Sequence, residues 1–106
     1  MKITGKTKEA FEKWLEDTDN LCGLDLFQLP DTCIDTLIIE FFDSVGIYIW
    51  TMPSLRVETK WTFRVFKTLL EDYVNQHAYI YNTRQEATGK AIEKANEIYN
   101  EMLNKC

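Results

Sequence analysis

Apolar and polar residues follow two different periods along this chain. In the first helical segment, predicted from Thr7 to Thr18, Ala10, Phe11, Trp14 and Leu15 form one stripe and Glu9, Glu12, Lys13 and Glu16 fill the opposite side. That spacing predicts an amphipathic helix. Thr7 is the expected N-cap, and Asp17-Thr18-Asp19-Asn20 the stop. Residues 20–35 carry Leu21, Leu24, Leu26, Phe27 and Leu29, too many apolar side chains for a free linker, and predict a packed helical turn or irregular lid that ends at Pro30. Thr36-Leu37-Ile38-Ile39-Glu40-Phe41-Phe42 is β-branched and aromatic, Asp43-Ser44-Val45-Gly46 reads as a turn, and Ile47-Tyr48-Ile49-Trp50-Thr51-Met52 reads as the return strand, closed by Pro53. Together they predict a β-hairpin. Both of its faces are largely apolar in either register, so a second covering element or a second chain is expected.

Residues 59–76 fit two templates. Trp61, Phe63 and Val65 alternate as in a strand, while Val65, Phe66, Leu69, Leu70, Tyr73 and Val74 fall on one side of a helix. The longer period predicts a helix from about Lys60 to Gln76. A short strand is expected at His77 to Tyr81. Thr83-Arg84-Gln85-Glu86 is a capping box, opening a helix to about Leu103 whose stripe is Ala87, Ala91, Ala95, Ile98 and Met102. Gly89 in its second turn marks a tight contact. The resulting expectation is a single α+β domain over residues 1–106. Its small antiparallel sheet is built on the central hairpin and packed by the N- and C-terminal helices, with a further helix at 60–76.

Composition agrees with a folded domain: 45% of the 106 residues are hydrophobic and 27% charged, which excludes a disordered chain. The net charge of −5 is unevenly spread. Residues 1–43 hold ten acids and four lysines, and from Glu16 to Asp43 eight acids occur without one base. Such a surface repels phosphate and makes direct nucleic-acid binding unfavourable, but attracts a basic protein surface. Cys22, Cys33 and Cys106 are widely spaced and His77 is the single histidine, a poor match to a zinc site. Reduced thiols, with Cys22 and Cys33 packing as small hydrophobes, are the expectation. The start, Met1 to Lys6, leads into a charged helix rather than a signal peptide, and no apolar run approaches the roughly 20 residues that span a bilayer.

Candidate chemistry is sparse. Asp17-Thr18-Asp19 suggests a calcium loop, but Leu21 and Cys22 occupy the positions that need an oxygen ligand and a glycine. His77 has no local nucleophile or carboxylate, and Cys22 or Cys33 with His77 lacks a flanking signature. The four glycines are scattered, so neither a P-loop nor a dinucleotide fingerprint can be built. A non-enzymatic protein without a cofactor is expected. Tyr48, Trp50, Tyr79 and Tyr81 sit on predicted strands, where core packing accounts for them better than base stacking.

Phe11-Glu12-Lys13-Trp14, Phe41-Phe42-Asp43-Ser44-Val45-Gly46-Ile47, Thr83-Arg84-Gln85-Glu86-Ala87 and Ala91 to Asn100 together resemble small bacteriophage and prophage accessory proteins. The resemblance covers about two thirds of the chain, is weakest over residues 53–80, and brings no catalytic residues. It implies a phage protein in a bacterial host cytoplasm. The expected function is an interaction protein that inhibits or redirects a host or defence protein, an anti-CRISPR or other anti-defence inhibitor being the sharpest version. Asp25, Asp31, Asp35, Glu40, Asp43, Tyr48 and Trp50 are its expected contact residues, since opposite charge speeds encounter and buried aromatics supply affinity. The alternative is an oligomer that binds a small nucleotide signal, with Arg56, Arg64 or Arg84 on phosphate and Trp50 or Trp61 stacked on the base. A homo-oligomer would also cover the hairpin's second apolar face.

Overall fold

The computed structural model describes residues 2–18, 28–55, 57–68, 71–75 and 80–105. The order of elements is α1 (Gly5–Thr18), α2 (Asp31–Ser44), β1 (Tyr48–Pro53), β2 (Trp61–Thr68), β3 (Glu71–Asn75) and α3 (Arg84–Asn104). The three strands form an antiparallel sheet in the order β1-β2-β3. The fold is α+β, as the sequence predicts, but the described helices pack on one face of the sheet and the expected second covering helix is absent among the described residues. Two elements, however, exchange identity.

Thr36–Phe42 is not a strand. It lies within α2, whose Ile38, Phe41 and Phe42 are buried. In a longer window Ile34, Leu37, Ile38, Phe41, Phe42 and Val45 recur at helical spacing, and the helical core holds or borders all six. The β-branched residues favoured a strand locally, but propensity yields to the burial of a complete helical stripe. The turn itself stands where expected. Gly46 adopts φ +83°, its N–H donates to Asp43 O, and Ile47 N–H donates to Phe42 O at 3.0 Å. That pair of bonds is a Schellman ending, with the fully buried Phe42 and Ile47 as its hydrophobic closure. The turn therefore joins a helix to a strand rather than two strands.

The expected helix at 60–76 is also corrected. Trp61–Thr68 and Glu71–Asn75 are strands. The alternation of Phe63 and Val65, 1% and 0% exposed, is the true signal. Of the apparent helical stripe, Val65 on β2 and Tyr73 on β3 turn to the core while Phe66 turns to the opposite face; Leu69 and Leu70 lie outside the described residues. Of the expected strand at 77–81, Tyr81 makes one bridge to Trp61; residues 77–79 lie outside the described residues. So do Leu21, Cys22, Leu24, Leu26 and Phe27 of the expected lid.

Helix α3 is the hub. Ala87, Ala91 and Ala95 are fully buried, and their small side chains let the helix backbone lie close to β1 and β2. The expected cap is present: Thr83 Oγ1 accepts from Glu86 N–H at 3.1 Å. Gly89 makes the expected tight contact, since a Cβ there would stand 3.1 Å from Lys2 Cε. Phe41 sits at the centre of the helical layer, its ring 5.4–5.9 Å from those of Phe11, Trp14, Phe42 and Tyr99.

Thr7 does not cap α1, which begins two residues earlier. Its side chain is buried and α3 supplies the cap instead. Asn100 Oδ1 accepts from both Thr7 N–H and Thr7 Oγ1 at 2.9 Å, and Asn96 Oδ1 accepts from Thr4 N–H at 3.0 Å. Backbone donors that a helix start leaves unpaired are thus satisfied from a segment more than ninety residues away in sequence.

Asn100→Ala is expected to cost about 1–3 kcal/mol by stranding Thr7 N–H, read as a lower urea midpoint with an unchanged slope. Ala91→Leu should cost about 1–3 kcal/mol by forcing α3 off the sheet, in the same measurement.

Candidate functional site

The parity of the strands divides the sheet into two unlike faces. Ile49, Thr51, Phe63 and Val65 face α3, where Ile49, Phe63 and Val65 enter the core and Thr51 and Thr88 share a hydroxyl hydrogen bond of 2.9 Å. The intervening residues Tyr48, Trp50, Met52, Arg64 and Phe66 occupy the opposite face. The cross-strand register places Tyr48 opposite Phe66 and Trp50 opposite Arg64. No described helix lies over this face.

On it the side chains build one aromatic and cationic patch. The Trp50 ring meets Phe66 edge-on at 4.8 Å, and Tyr48 lies 5.6 Å from Phe66. The Arg64 guanidinium stands 4.5 Å from the Phe66 ring centre and 5.8 Å from that of Trp50, and its Nε pairs with the Asp72 carboxylate from β3. Phe66 is thereby reduced to 5% exposure, whereas Trp50 keeps 48% and Tyr48 37%. Two large aromatics held half in solvent by a buried third ring form a preorganised contact surface, with little side-chain freedom left to lose on binding.

The structure places the acidic candidates elsewhere. Asp31, Asp35, Glu40 and Asp43 all lie on α2, a helix without a single base. Asp35 is neutralised by Lys2 Nζ, which reaches both carboxylate oxygens at 2.9 Å. Asp31, Glu40 and Asp43 are exposed. Partial burial, and secondarily the Glu40 carboxylate, push the Asp43 carboxyl above the usual carboxylate range. The acidic helix and the Tyr48–Trp50 patch are therefore neighbouring surfaces joined through Gly46 rather than one surface. Asp25 and Arg56 lie outside the described residues.

The residues of the ligand-binding alternative separate. Trp61 shares the parity of Phe63 and faces the α3 side, where the Arg84 guanidinium stacks on its ring at 4.5 Å. Arg64 is on the opposite face. A shallow groove of about 250 Å³ between α2 and α3 is lined in part by Asp35, Arg84, Gln85 and Thr88, but neither Trp61 nor Arg64 borders it. Among the described residues no group of three histidine, cysteine or acidic side chains gathers to hold a metal. Cys33, expected to pack as a small hydrophobe, is exposed on α2. No described helix is long and apolar enough to cross a membrane.

Sequence reasoning missed Met52, Phe66 and Asp72 as members of the patch. The alternation of Thr62, Arg64, Phe66 and Thr68 against Trp61, Phe63, Val65 and Lys67 was the signal, hidden by the competing helical period. Comparisons with known protein families, with curated proteins and with solved structures return no match.

Because the folded state favours protonated Asp43, it binds more protons than the unfolded chain between the ordinary carboxylate pKa and the raised one, and stability falls as pH rises through that window. Asp43→Asn should flatten this part of the stability profile and raise the urea midpoint at neutral pH. Glu40→Gln should lower the Asp43 pKa partway toward its ordinary value, as followed by carboxyl-carbon NMR titration.

Proposed function

We propose that this chain is a non-enzymatic interaction protein that binds another protein through the sheet face that no described helix covers. The observation that carries this reading is the half-exposed pair Tyr48 and Trp50, propped on the buried ring of Phe66 and flanked by Arg64. Tyr, Trp and Arg at the centre of a rigid patch are the residue types that dominate binding energy at protein interfaces. The base-free α2 beside it supports a partner with a basic surface, because long-range attraction raises the encounter rate.

The resemblance of the Phe11–Trp14, Phe41–Ile47, Thr83–Ala87 and Ala91–Asn100 motifs to small phage and prophage proteins supports a setting in the bacterial host cytoplasm. In that setting the partner is a host or defence protein, and binding inhibits or redirects it. The dispersal of Trp61, Arg64 and Arg84 over two faces gives the nucleotide-signal alternative no comparable support.

Trp50→Ala and Tyr48→Ala test the reading. Each side chain is partly exposed, so each variant should keep its far-UV spectrum and lose about 1 kcal/mol of stability. Captured from host lysate by the wild-type chain, the partner should lose activity on binding. Its affinity for Trp50→Ala should fall at least about tenfold, as expected of an aromatic hot spot. Equal binding by both variants, or a wild-type chain that takes up nucleotides instead, would refute it.

A further inference from the structure

Proceeding from the interaction-protein reading, the hydrogen-bonding parity of β1 specifies how a partner docks. Trp61 and Tyr81 exchange both backbone hydrogen bonds at 2.8 Å, so Trp61, Phe63 and Val65 direct their backbone groups away from β1. Antiparallel pairing alternates, so Thr62, Arg64 and Phe66 bond to β1, through Met52, Trp50 and Tyr48. Ser54 N–H donating to Lys60 O at 2.9 Å continues the same series. The backbone groups of Ile47, Ile49 and Thr51 consequently point outward along the sheet's edge. Ile47 N–H is taken by Phe42 O, and at the other end Pro53 has no N–H to offer. Between these two stops, Ile49 and Thr51 present two donors and two acceptors that no described backbone group pairs.

This edge is short and closed by Pro53, two of the ways in which edge strands are blunted; charges, bulges and covering elements are others. Tyr48–Pro53 carries no charge, and its register with β2 runs without a shift. The other edge strand, β3, is reached through two irregularities and carries Glu71 and Asp72. Beside β1 runs α2, which turns into it at Gly46 and packs against it. The solvent side of α2 bears Glu40 and Asp43, with no base on the helix. The Asp43 carboxyl is held above its usual range partly by Glu40, a like-charge contact that a nearby cation would relieve.

We propose that an extended, basic segment of a partner protein adds to the edge of β1 as a fourth strand, bonding to Ile49 and Thr51. Its lysines or arginines lie along Glu40 and Asp43, and its outward side chains extend the Tyr48–Trp50 patch. A second copy of this chain suits the edge less well, because pairing β1 with itself brings two base-free α2 helices together.

Selection from a displayed library of random short peptides tests this. Peptides enriched on the wild-type chain should alternate β-branched or aromatic residues with others and carry lysine or arginine. Thr51→Pro removes one outward donor without touching the ladder to β2, and should weaken a selected peptide by about tenfold or more. Thr51→Val keeps the N–H while losing the Thr88 hydrogen bond, and should bind as wild type. If Thr51→Pro fails to fold, amide hydrogen exchange on the wild-type complex decides, since the Ile49 and Thr51 amides should slow on binding. Glu40→Gln with Asp43→Asn should weaken the peptide and reduce its salt dependence. Enrichment of no peptide or of acidic ones, or unchanged exchange at Ile49 and Thr51, would overturn the inference. Self-association abolished by Thr51→Pro would also overturn it and assign the edge to a second copy. Loss of binding in Trp50→Ala without slowing at Ile49 and Thr51 would leave face binding intact and remove edge addition alone.

Discussion

The close approach of α3 to the sheet is the contact on which the remaining structure depends. It is possible because Ala87, Ala91 and Ala95 present only methyl groups to β1 and β2, and all three are fully buried. The same helix holds α1 through Asn96 and Asn100 and α2 through Tyr99 against Phe41 and Phe42. A small domain has little apolar surface to bury, and concentrating its packing on one central helix lets three segments share one core. The consequence is asymmetry. The described helices all gather on one face of the sheet, and none of them lies on the other.

That face manages its exposure by internal stacking. Phe66 hides beneath Tyr48, Trp50 and Arg64, and Arg64 in turn is held by Asp72. Part of the aromatic surface is satisfied within the sheet while the two outermost rings remain half in solvent. A patch of this kind is stiff: each ring is fixed by a neighbour on the adjacent strand. Stiffness and exposure together make the face suited to recognition, because a partner finds its anchor side chains already in place.

The polarity of the chain's two halves acquires a location in the fold. The acid-rich first half includes α2, with Asp35 matched by Lys2 while Asp31, Glu40 and Asp43 stand exposed. The mixed second half provides β2, β3 and α3, where charges pair locally, as in Arg64 with Asp72, Lys90 with Glu93 and Lys94 with Glu97. Placing the unbalanced charge on a helix that packs against β1 puts a negative field beside the strand that carries Tyr48 and Trp50.

Several features were legible from residues alone. The amphipathic stripe of α1, the Thr83 cap and alanine face of α3, the turn at Gly46, the strand closing at Pro53 and the α+β class all follow from local rules of spacing, capping and backbone freedom. Trp50 and Tyr48 were also singled out, though with Thr36–Phe42 as their partner strand. What only the tertiary structure decided is which competing period wins. Residues 36–42 and 61–75 each satisfy a helical and an extended pattern, and apolar side chains are buried equally well in either. The choice falls to the partner surfaces: α2 completes the aromatic cluster around Phe41, and β2 supplies the ladder that β1 needs. The two unlike faces, the cap lent by Asn100 and the edge of β1 that no described backbone group pairs arise from residues far apart in sequence, where no local spacing rule reaches.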